Sequence, residues 1–216
     1  MNKQYLEKVF SSERMSRYFN HHPGNETIAI KHYHANIALS EAFYPVLSVF
    51  EVALRNSLNR ELITMFNTPD WHVHIQSTPG LKDLNKEIST AQRQITKRGE
   101  NTTASKVVAE LTLGFWVRLF NVEYELILWK DLRRAFPYMP KIERKRNHIS
   151  APLNNIRNFR NRVYHNEPIA WNLKSLEDIH AETILVLSWL NNQLPDFVKA
   201  NDRFAETISK IKTELI

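Results

Sequence analysis

Apolar residues recur every three or four positions along most of the chain, which is the spacing that places them on one face of an α-helix. This pattern predicts helices over about 35–66, 106–120 and 122–135. Two more apolar stripes predict helices near 81–95 and 204–215. Helical periodicity therefore accounts for most of the chain.

Capping residues and prolines set the expected ends of two further helices. Ser150, followed two positions later by a proline, suits an N-cap and predicts a helix from there through His165. Ser175 begins a pattern similar to a capping box, ahead of an apolar run. The alternating segment Trp71–Ile75 is compatible with a short strand, but one strand does not make a sheet. We therefore predict an all-α fold.

Composition narrows the class of protein further. The chain has 216 residues, no repeat and no low-complexity tract, which indicates a single domain over 1–216 with loop insertions. Its four glycines are well below the usual share of about 7%. The lack of cysteine excludes disulfide scaffolds, thiolate zinc sites, iron–sulfur clusters and cysteine nucleophiles. Because 43% of residues are hydrophobic and 24% charged, bulk disorder is excluded.

The chain opens with charged, helix-like sequence rather than a secretory signal. Its longest strongly apolar runs, such as 184–190, are much shorter than the ~20 residues of a membrane span. The sequence therefore predicts a cytoplasmic protein that does not enter the membrane.

Positive charge is concentrated in one region. Between Lys130 and His165 there are ten Lys and Arg residues against two acidic ones, so this segment carries +8 while the whole chain carries +6. Such a run is often only a solvated surface. Because it supplies the entire charge excess, it also suits a surface that contacts nucleic-acid phosphates.

The helix at the end of this region presents chemically useful side chains on one side. Its expected core stripe consists of three apolar residues, Ile156, Phe159 and Val163. Arg160 flanks that stripe, and Asn161 and His165, four residues apart, follow around the helix. Imidazole suits proton transfer near neutral pH, and guanidinium suits a phosphate. The spacing alone is short enough to arise by chance in any basic helix.

Several segments of the chain resemble a known family. The run from Arg160 to His165 resembles the arginine–polar–spacer–histidine signature of HEPN domains, an all-α ribonuclease superfamily. The blocks 50–59, 113–117 and 156–168 are similar to the Abi-like (abortive infection, AbiD/AbiF type) branch. The likeness covers roughly 30–190 in the family's order.

This resemblance implies a HEPN-like helical bundle and a metal-independent endoribonuclease that acts as a toxin or anti-phage effector, without a cofactor. It implies that His165 is the general acid or base, that Arg160 stabilises the phosphate and that Asn161 orients them. Such active sites are usually built from two copies of the motif, so a homodimer is expected. The implied partners are an RNA substrate and an RNA or protein antitoxin.

The remaining candidate site residues are expected RNA contacts or supporting residues. The expected RNA contacts are basic residues of the charged region, namely Lys141, Arg144, Lys145, Arg146, Arg157 and Arg162. The last two also suit plain solvent-facing charge. Glu51 and Arg55 have the spacing of a helical ion pair, which favours a structural role over support of the active site. Tyr164 lies on the same side of its helix as Arg160 and is a further supporting residue.

Remaining histidines and tryptophans are given structural interpretations. The pairs His32/His34 and His72/His74 could share a metal only on extended segments, and we expect no metal site. Three tryptophans in apolar patterns are expected in the core, namely Trp116, Trp129 and Trp189. Trp171 is expected at a surface contact. The alternative to an enzyme is a catalytically silent helical module that binds RNA or a protein.

Overall fold

The computed structural model describes residues 2–215, and over that range it contains α-helices and three short 3₁₀ turns but no strand. The predicted all-α class is confirmed. The helices, in chain order, are α1 (Lys3–Phe10), α2 (Ser12–His21), α3 (Glu26–Phe66), α4 (Trp71–Ser77), α5 (Asn85–Lys97), α6 (Ala104–Glu110), α7 (Leu113–Arg118), α8 (Glu125–Leu132), α9 (Arg146–Tyr164), α10 (Leu173–Leu190), α11 (Leu194–Lys199) and α12 (Phe204–Leu215).

The central element is α3, which has 41 residues and begins nine residues before the predicted start. The Asn25 side chain caps its first turn by accepting a hydrogen bond from the Ile28 N–H, and Asn67 ends it in a left-handed conformation. Helices α2, α7, α8, α10 and α12 pack around it. The buried stripe of α3 includes Leu39, Phe43, Val46, Leu47, Phe50, Leu54, Leu58 and Leu62.

By length and composition alone, α3 could also cross a membrane. Its most apolar 18-residue window has a mean hydropathy of 1.6, and 39% of that window is buried inside the protein. Acidic residues interrupt the apolar sequence of α3, so the helix contains no long uninterrupted apolar run. A core helix of a globular protein has the same properties, so the cytoplasmic location stays a prediction.

Two predicted elements differ in the structure. The segment Trp71–Ile75 is the start of α4, not a strand; Trp71 and Ile75 are four residues apart and both are fully buried. The helix predicted over 106–120 is two helices, because Thr112 is extended and its hydroxyl caps α7 by accepting from the Phe115 N–H. Alternation of a few residues is a weak signal when the protein core lies on one side only.

The two helices predicted from serine caps begin elsewhere. Helix α9 begins at Arg146, so Ser150 lies within it and the following proline occupies a buried position in its second turn. Helix α10 begins at Leu173, and the Asn172 side chain, rather than Ser175, is the cap. The side-chain oxygen of Asn172, Oδ1, accepts a hydrogen bond from the Ser175 N–H at 3.0 Å.

A second, smaller apolar cluster joins the N-terminal helices to α3. Its buried members lie on α1, α2 and α3 and are Leu6, Met15, Tyr18, Phe19 and Ala29. Ile30, Tyr33 and Trp171 pack against it from the half-buried periphery. The hairpin of α1 and α2 is thereby fixed to the first part of α3, beside the segment that follows α9.

Candidate active site at the C-terminal end of helix α9

The periodicity of α9 places its side chains as expected. Ile156, Phe159 and Val163 are buried against the core. Arg160 borders this stripe and is half-buried, whereas Asn161 and His165 are exposed. The helix therefore presents the three motif residues at its outer C-terminal end.

Arg160 is held by an acidic residue of α3. Its Nη2 atom lies 3.0 Å from Glu51 Oε2, and its Nε donates to the same oxygen at 3.2 Å. Both side chains retain about a quarter of their surface, 25% for Arg160 and 26% for Glu51. Because the pair is screened from water only in part, its main effect is to fix the direction of the guanidinium group.

The ion pair predicted between Glu51 and Arg55 is not formed. Glu51 binds Arg160 of α9 instead, and Arg55 Nε donates to the Asn56 side chain at 3.4 Å. A pair spaced by four residues on one helix stabilises by only about 0.2–0.5 kcal/mol. A partner on a neighbouring packed helix replaces it readily. Glu51 thus reaches the motif, and Arg55 does not.

Two tyrosines complete the surroundings of Arg160. Its Cζ atom lies 4.0 Å from the centre of the Tyr164 ring, which is a cation–π contact. Tyr44 of α3 stacks on Tyr164, with ring centres 6.4 Å apart and planes at 26°. Burial raises the pKa of Tyr164; nearby Arg160 lowers it, and Glu51 and Tyr44 raise it. Tyr164 is therefore a neutral, rigid support for the guanidinium at neutral pH.

A tight turn fixes the position of His165 after the last residue of α9. Asn166 adopts a φ of 55°, and its N–H donates to the Val163 carbonyl at 3.0 Å. The Glu167 N–H donates to the Arg162 carbonyl at 2.8 Å, which completes a Schellman motif. The Arg162 guanidinium also lies 3.5 Å from the Glu167 carboxylate. The turn holds the His165 backbone while leaving its imidazole exposed.

Sequence reasoning missed the residues that anchor the segment after this turn. The Asn36 side chain, buried on α3, accepts from the Ile169 N–H at 2.6 Å and from the Ala170 N–H at 3.1 Å. Arg14 of α2 donates to the Asn166 carbonyl at 3.0 Å. Asn36 is one of three buried polar residues on α3, with His32 and Ser57, and its place on this largely apolar face was the one signal that could have identified it.

Two of the arginines expected to bind RNA have structural partners. Arg144 donates to the carbonyl oxygens of Pro137 and Met139 at 2.8 and 2.6 Å. Arg146 donates to the Phe120 carbonyl at 2.9 Å and to Glu125 at 2.8 Å. These contacts hold the loop before α9 in place and engage part of each guanidinium within the protein; that Arg144 and Arg146 contact RNA stays a prediction.

The other basic residues are more accessible. Lys141 and Lys145 are exposed in the loop that leads into α9. Arg157 is half-buried and contacts the Asn158 side chain at 3.0 Å, and Arg162 donates to the Pro168 carbonyl at 2.7 Å. Lys145 precedes α9 and His165 follows it, so the two ends lie about 28 Å apart along the helix. Basic side chains therefore lie near both ends of α9, and positions 147–156 between them contain no lysine or arginine.

The tryptophans and paired histidines are located as follows. Trp116 is buried, and Trp129 and Trp189 pack half-buried against the core, in line with their expected places. Trp171 is half-buried in the smaller cluster, where the Arg17 guanidinium lies 4.9 Å from its ring centre. Both histidine pairs lie on helices, so neither has the extended geometry that a shared metal would need.

Compared with protein family models, with curated proteins and with solved structures, the chain has no match in any of the three sets. The HEPN resemblance therefore depends on the motif blocks. The site itself combines a guanidinium of fixed direction with an exposed imidazole and an exposed amide at one end of a helix. Such a group can bind a phosphate and transfer a proton beside it.

Proposed function

We propose that the protein is a metal-independent endoribonuclease of the HEPN type that acts as a toxin or anti-phage effector. One observation carries the proposal: Glu51 fixes the direction of the Arg160 guanidinium, one residue before the exposed Asn161 and five before the exposed His165 at the end of α9. This arrangement provides the phosphate-binding and proton-transferring groups that metal-free RNA cleavage requires.

In the proposed reaction, His165 accepts the proton of a ribose 2′-OH. The 2′-oxygen forms a bond to the adjacent phosphorus, and the bond from phosphorus to the 5′-oxygen breaks. The leaving 5′-oxygen takes a proton from a second imidazole, which a second copy of the chain would supply. The products carry a 2′,3′-cyclic phosphate and a 5′-OH, and Arg160 offsets the negative charge that the phosphate gains.

The contact with Glu51 leaves Arg160 able to bind a phosphate. A guanidinium has five N–H groups. Glu51 engages those on Nε and Nη2, and the two on Nη1 have no partner within residues 2–215. Arg160 can therefore donate from one edge to Glu51 and from the other to the substrate.

The proposal is tested by incubating RNA with the protein in the presence of EDTA. We expect His165→Ala to lower the cleavage rate by about 10²–10⁴-fold, because proton transfer is lost. Arg160→Ala should lower it by about 10²-fold or more, because charge stabilisation is lost. The matched control is His148→Ala, which removes an exposed histidine from the same helix and should leave the rate unchanged.

Attack by the 2′-OH without a metal predicts two further results. RNA with a 2′-deoxy sugar at the cleaved position should resist cutting, and EDTA should not slow the wild type. Cleavage of the deoxy substrate, or full inhibition by EDTA, would contradict the mechanism. Circular dichroism should show the same helix content in all variants, because neither Arg160 nor His165 belongs to the buried stripe of α9.

The second candidate is a catalytically silent module that binds RNA or a protein. The ion pair between Glu51 and Arg160 favours it, since the acidic partner reduces the positive charge available to a phosphate. RNA binding without cleavage, equal in the wild type and in His165→Ala, would support this alternative over the enzyme.

A further inference from the structure

Three histidines lie together at the junction of α2 and α3, away from the motif helix. The ligand nitrogens of His21, His22 and His32 all lie within 4.8 Å of one another. His21 is the last residue of α2, His22 is the next residue, and His32 is in the second turn of α3. The spacing of His32 and His34 in the sequence suggests a different pair, and gives no sign that His32 lies beside His21 and His22.

A short turn brings the three rings together. After His22 the chain passes through Pro23 and Gly24, whose φ of 77° is readily adopted by glycine. The His22 ring centre lies 4.7 Å from that of His21 and 5.2 Å from that of His32. The His22 N–H donates to a carbonyl of the last turn of α2, which fixes its backbone.

The hydrogen bonds of His32 determine which of its nitrogens is free to bind a ligand. Nε2 lies 3.0 Å from the Ala170 carbonyl oxygen, so it carries the proton and donates it. Nδ1 of the neutral ring then accepts a hydrogen bond from His22 Nε2 at 3.0 Å, and a bound ion takes the place of that proton between the two nitrogens. A metal-bound histidine almost always donates its other N–H in this way, to a carbonyl or a carboxylate.

The surroundings of His22 and His32 favour the neutral form of these two rings. Burial lowers the pKa of His32; the bond to Ala170 acts in the opposite direction, and the neighbouring histidines lower it further. Burial and His21 lower the pKa of His22.

The spacing suits a small divalent transition-metal ion. With metal–nitrogen distances of about 2.0–2.1 Å in a tetrahedral site, two ligand nitrogens are about 3.3 Å apart. The separation of 3.0 Å between His22 and His32 requires a change of only a few tenths of an ångström, whereas the separations that involve the exposed His21, of up to 4.8 Å, require its ring to turn towards the other two. Imidazole ligands suit Zn²⁺, Cu²⁺ and Ni²⁺ rather than Mg²⁺ or Ca²⁺.

We propose that His21, His22 and His32 form a site for a divalent ion of the zinc class that joins α2 to α3. The ion takes three neutral nitrogens from the protein and a water as its fourth ligand. Through the bond between His32 and Ala170, the site also fixes the segment that follows the motif helix. The proposal is independent of RNA cleavage, because it concerns stability and not the groups at the end of α9.

The test uses the full chain, freed of metal by EDTA and dialysed. Zn²⁺ titration followed by calorimetry should give one ion per chain, and the melting temperature should rise with zinc concentration. Co²⁺ should give the visible absorption of a four-coordinate site. Affinity should fall as the pH is lowered from 7.5 to 5.5, because the ligands must lose their protons to bind.

Single substitutions separate this site from the other histidines of the chain. We expect His21→Gln and His22→Gln each to weaken zinc binding by at least tenfold. Neither is fully buried, so both variants should fold. His34→Gln is the matched control, since it removes an exposed histidine two residues from His32 on the same helix.

Three results would overturn the proposal. They are an unchanged melting temperature at saturating zinc, equal loss of affinity in His34→Gln and His22→Gln, and an affinity that is unchanged in His21→Gln and His22→Gln. RNA cleavage is not a readout here, so failure of this site is distinguishable from failure of the proposed enzyme.

Discussion

The contact between Glu51 and Arg160 joins residues 109 positions apart in the sequence and determines how the arginine can be used. Glu51 holds two of the guanidinium nitrogens, and the Tyr164 ring lies against the flat face of the group. The direction of Arg160 is therefore fixed from two sides. A flexible arginine would lose more conformational entropy on binding a phosphate than one already held in place.

Removal of this support should lower the cleavage rate without weakening RNA binding. In Glu51→Ala we expect kcat to fall on the order of tenfold, because a misdirected guanidinium no longer meets the phosphate in the transition state. Glu51→Gln keeps a hydrogen-bond acceptor and should retain most of the rate. Single-turnover kinetics with labelled RNA would measure both.

The opposite outcome has a clear meaning. If Glu51→Ala binds RNA more tightly and cleaves it at the wild-type rate or faster, Glu51 restrains Arg160 rather than directing it. Arg55→Ala is the control, because Arg55 lies on the same helix and contacts Asn56 rather than the motif.

At the scale of elements, long apolar stripes were a reliable guide to structure and local caps were not. The stripe of Ile156, Phe159 and Val163 is buried as predicted, because a strongly periodic helix has one way to face the core. The serine expected to start α9 lies inside it, because packing against the core extends the helix by a further turn. Caps contribute about 1 kcal/mol, which tertiary contacts exceed.

The candidate site residues also differ in whether a pattern within one helix could predict them. Arg160 and Asn161 lie in the last turn of α9 and His165 directly follows it, so their short spacing in the sequence was sufficient to group them. Glu51 and Asn36 act on residues more than a hundred positions away, and no pattern within a single helix reveals such a partner. The histidine cluster was missed because a turn, not a repeat, brings two helices together there.

The loop before α9 contains basic residues of two kinds. Some are bonded within the protein, and others are exposed and are the ones we propose to contact RNA. We expect the double variant Lys141→Ala/Lys145→Ala to reduce the slope of log K against log salt by about 1.4 for single-stranded RNA, if each lysine contacts one phosphate. Its melting temperature should not change, because both side chains are exposed. Fluorescence anisotropy across a salt series would measure the slope.

Arg146→Ala provides the contrasting variant. It leaves the Phe120 carbonyl without its donor and Glu125 without its partner. The expected loss is about 1–3 kcal/mol of unfolding free energy, measured by urea denaturation. Equal stability of Arg146→Ala and the wild type would contradict this structural role of Arg146. An unchanged salt slope in the lysine variant would move the RNA surface away from this loop.

At the scale of the whole molecule, α3 is the element that many other parts of the structure contact. It carries the main core, the acidic partner of Arg160, the Asn36 anchor and one of the three clustered histidines. The outer side of α9 is left exposed at Asn158, Asn161 and His165. A single chain therefore offers one copy of the motif on an open surface, whereas the proposed reaction uses two imidazoles.

We therefore predict a homodimer in which the α9 helices approach each other across a two-fold axis. Such an interface is self-complementary, so each histidine faces the other motif. Light scattering should give twice the 25.5 kDa of a single chain. Because the chain has no cysteine, one introduced cysteine reports proximity without background. Asn158→Cys, on the exposed side of α9, should form a disulfide-linked dimer under mild oxidation.

Gln94→Cys is the control for this experiment, since it places an exposed thiol on α5, which is a different helix. It should cross-link far more slowly than Asn158→Cys at the same protein concentration, because random collisions alone bring its thiols together. The cross-linked Asn158→Cys protein should also keep its helix content. Equal cross-linking of the two variants, or a monomer that still cleaves RNA at micromolar concentration, would show that each chain acts alone; the second proton would then have to come from a group other than a second His165.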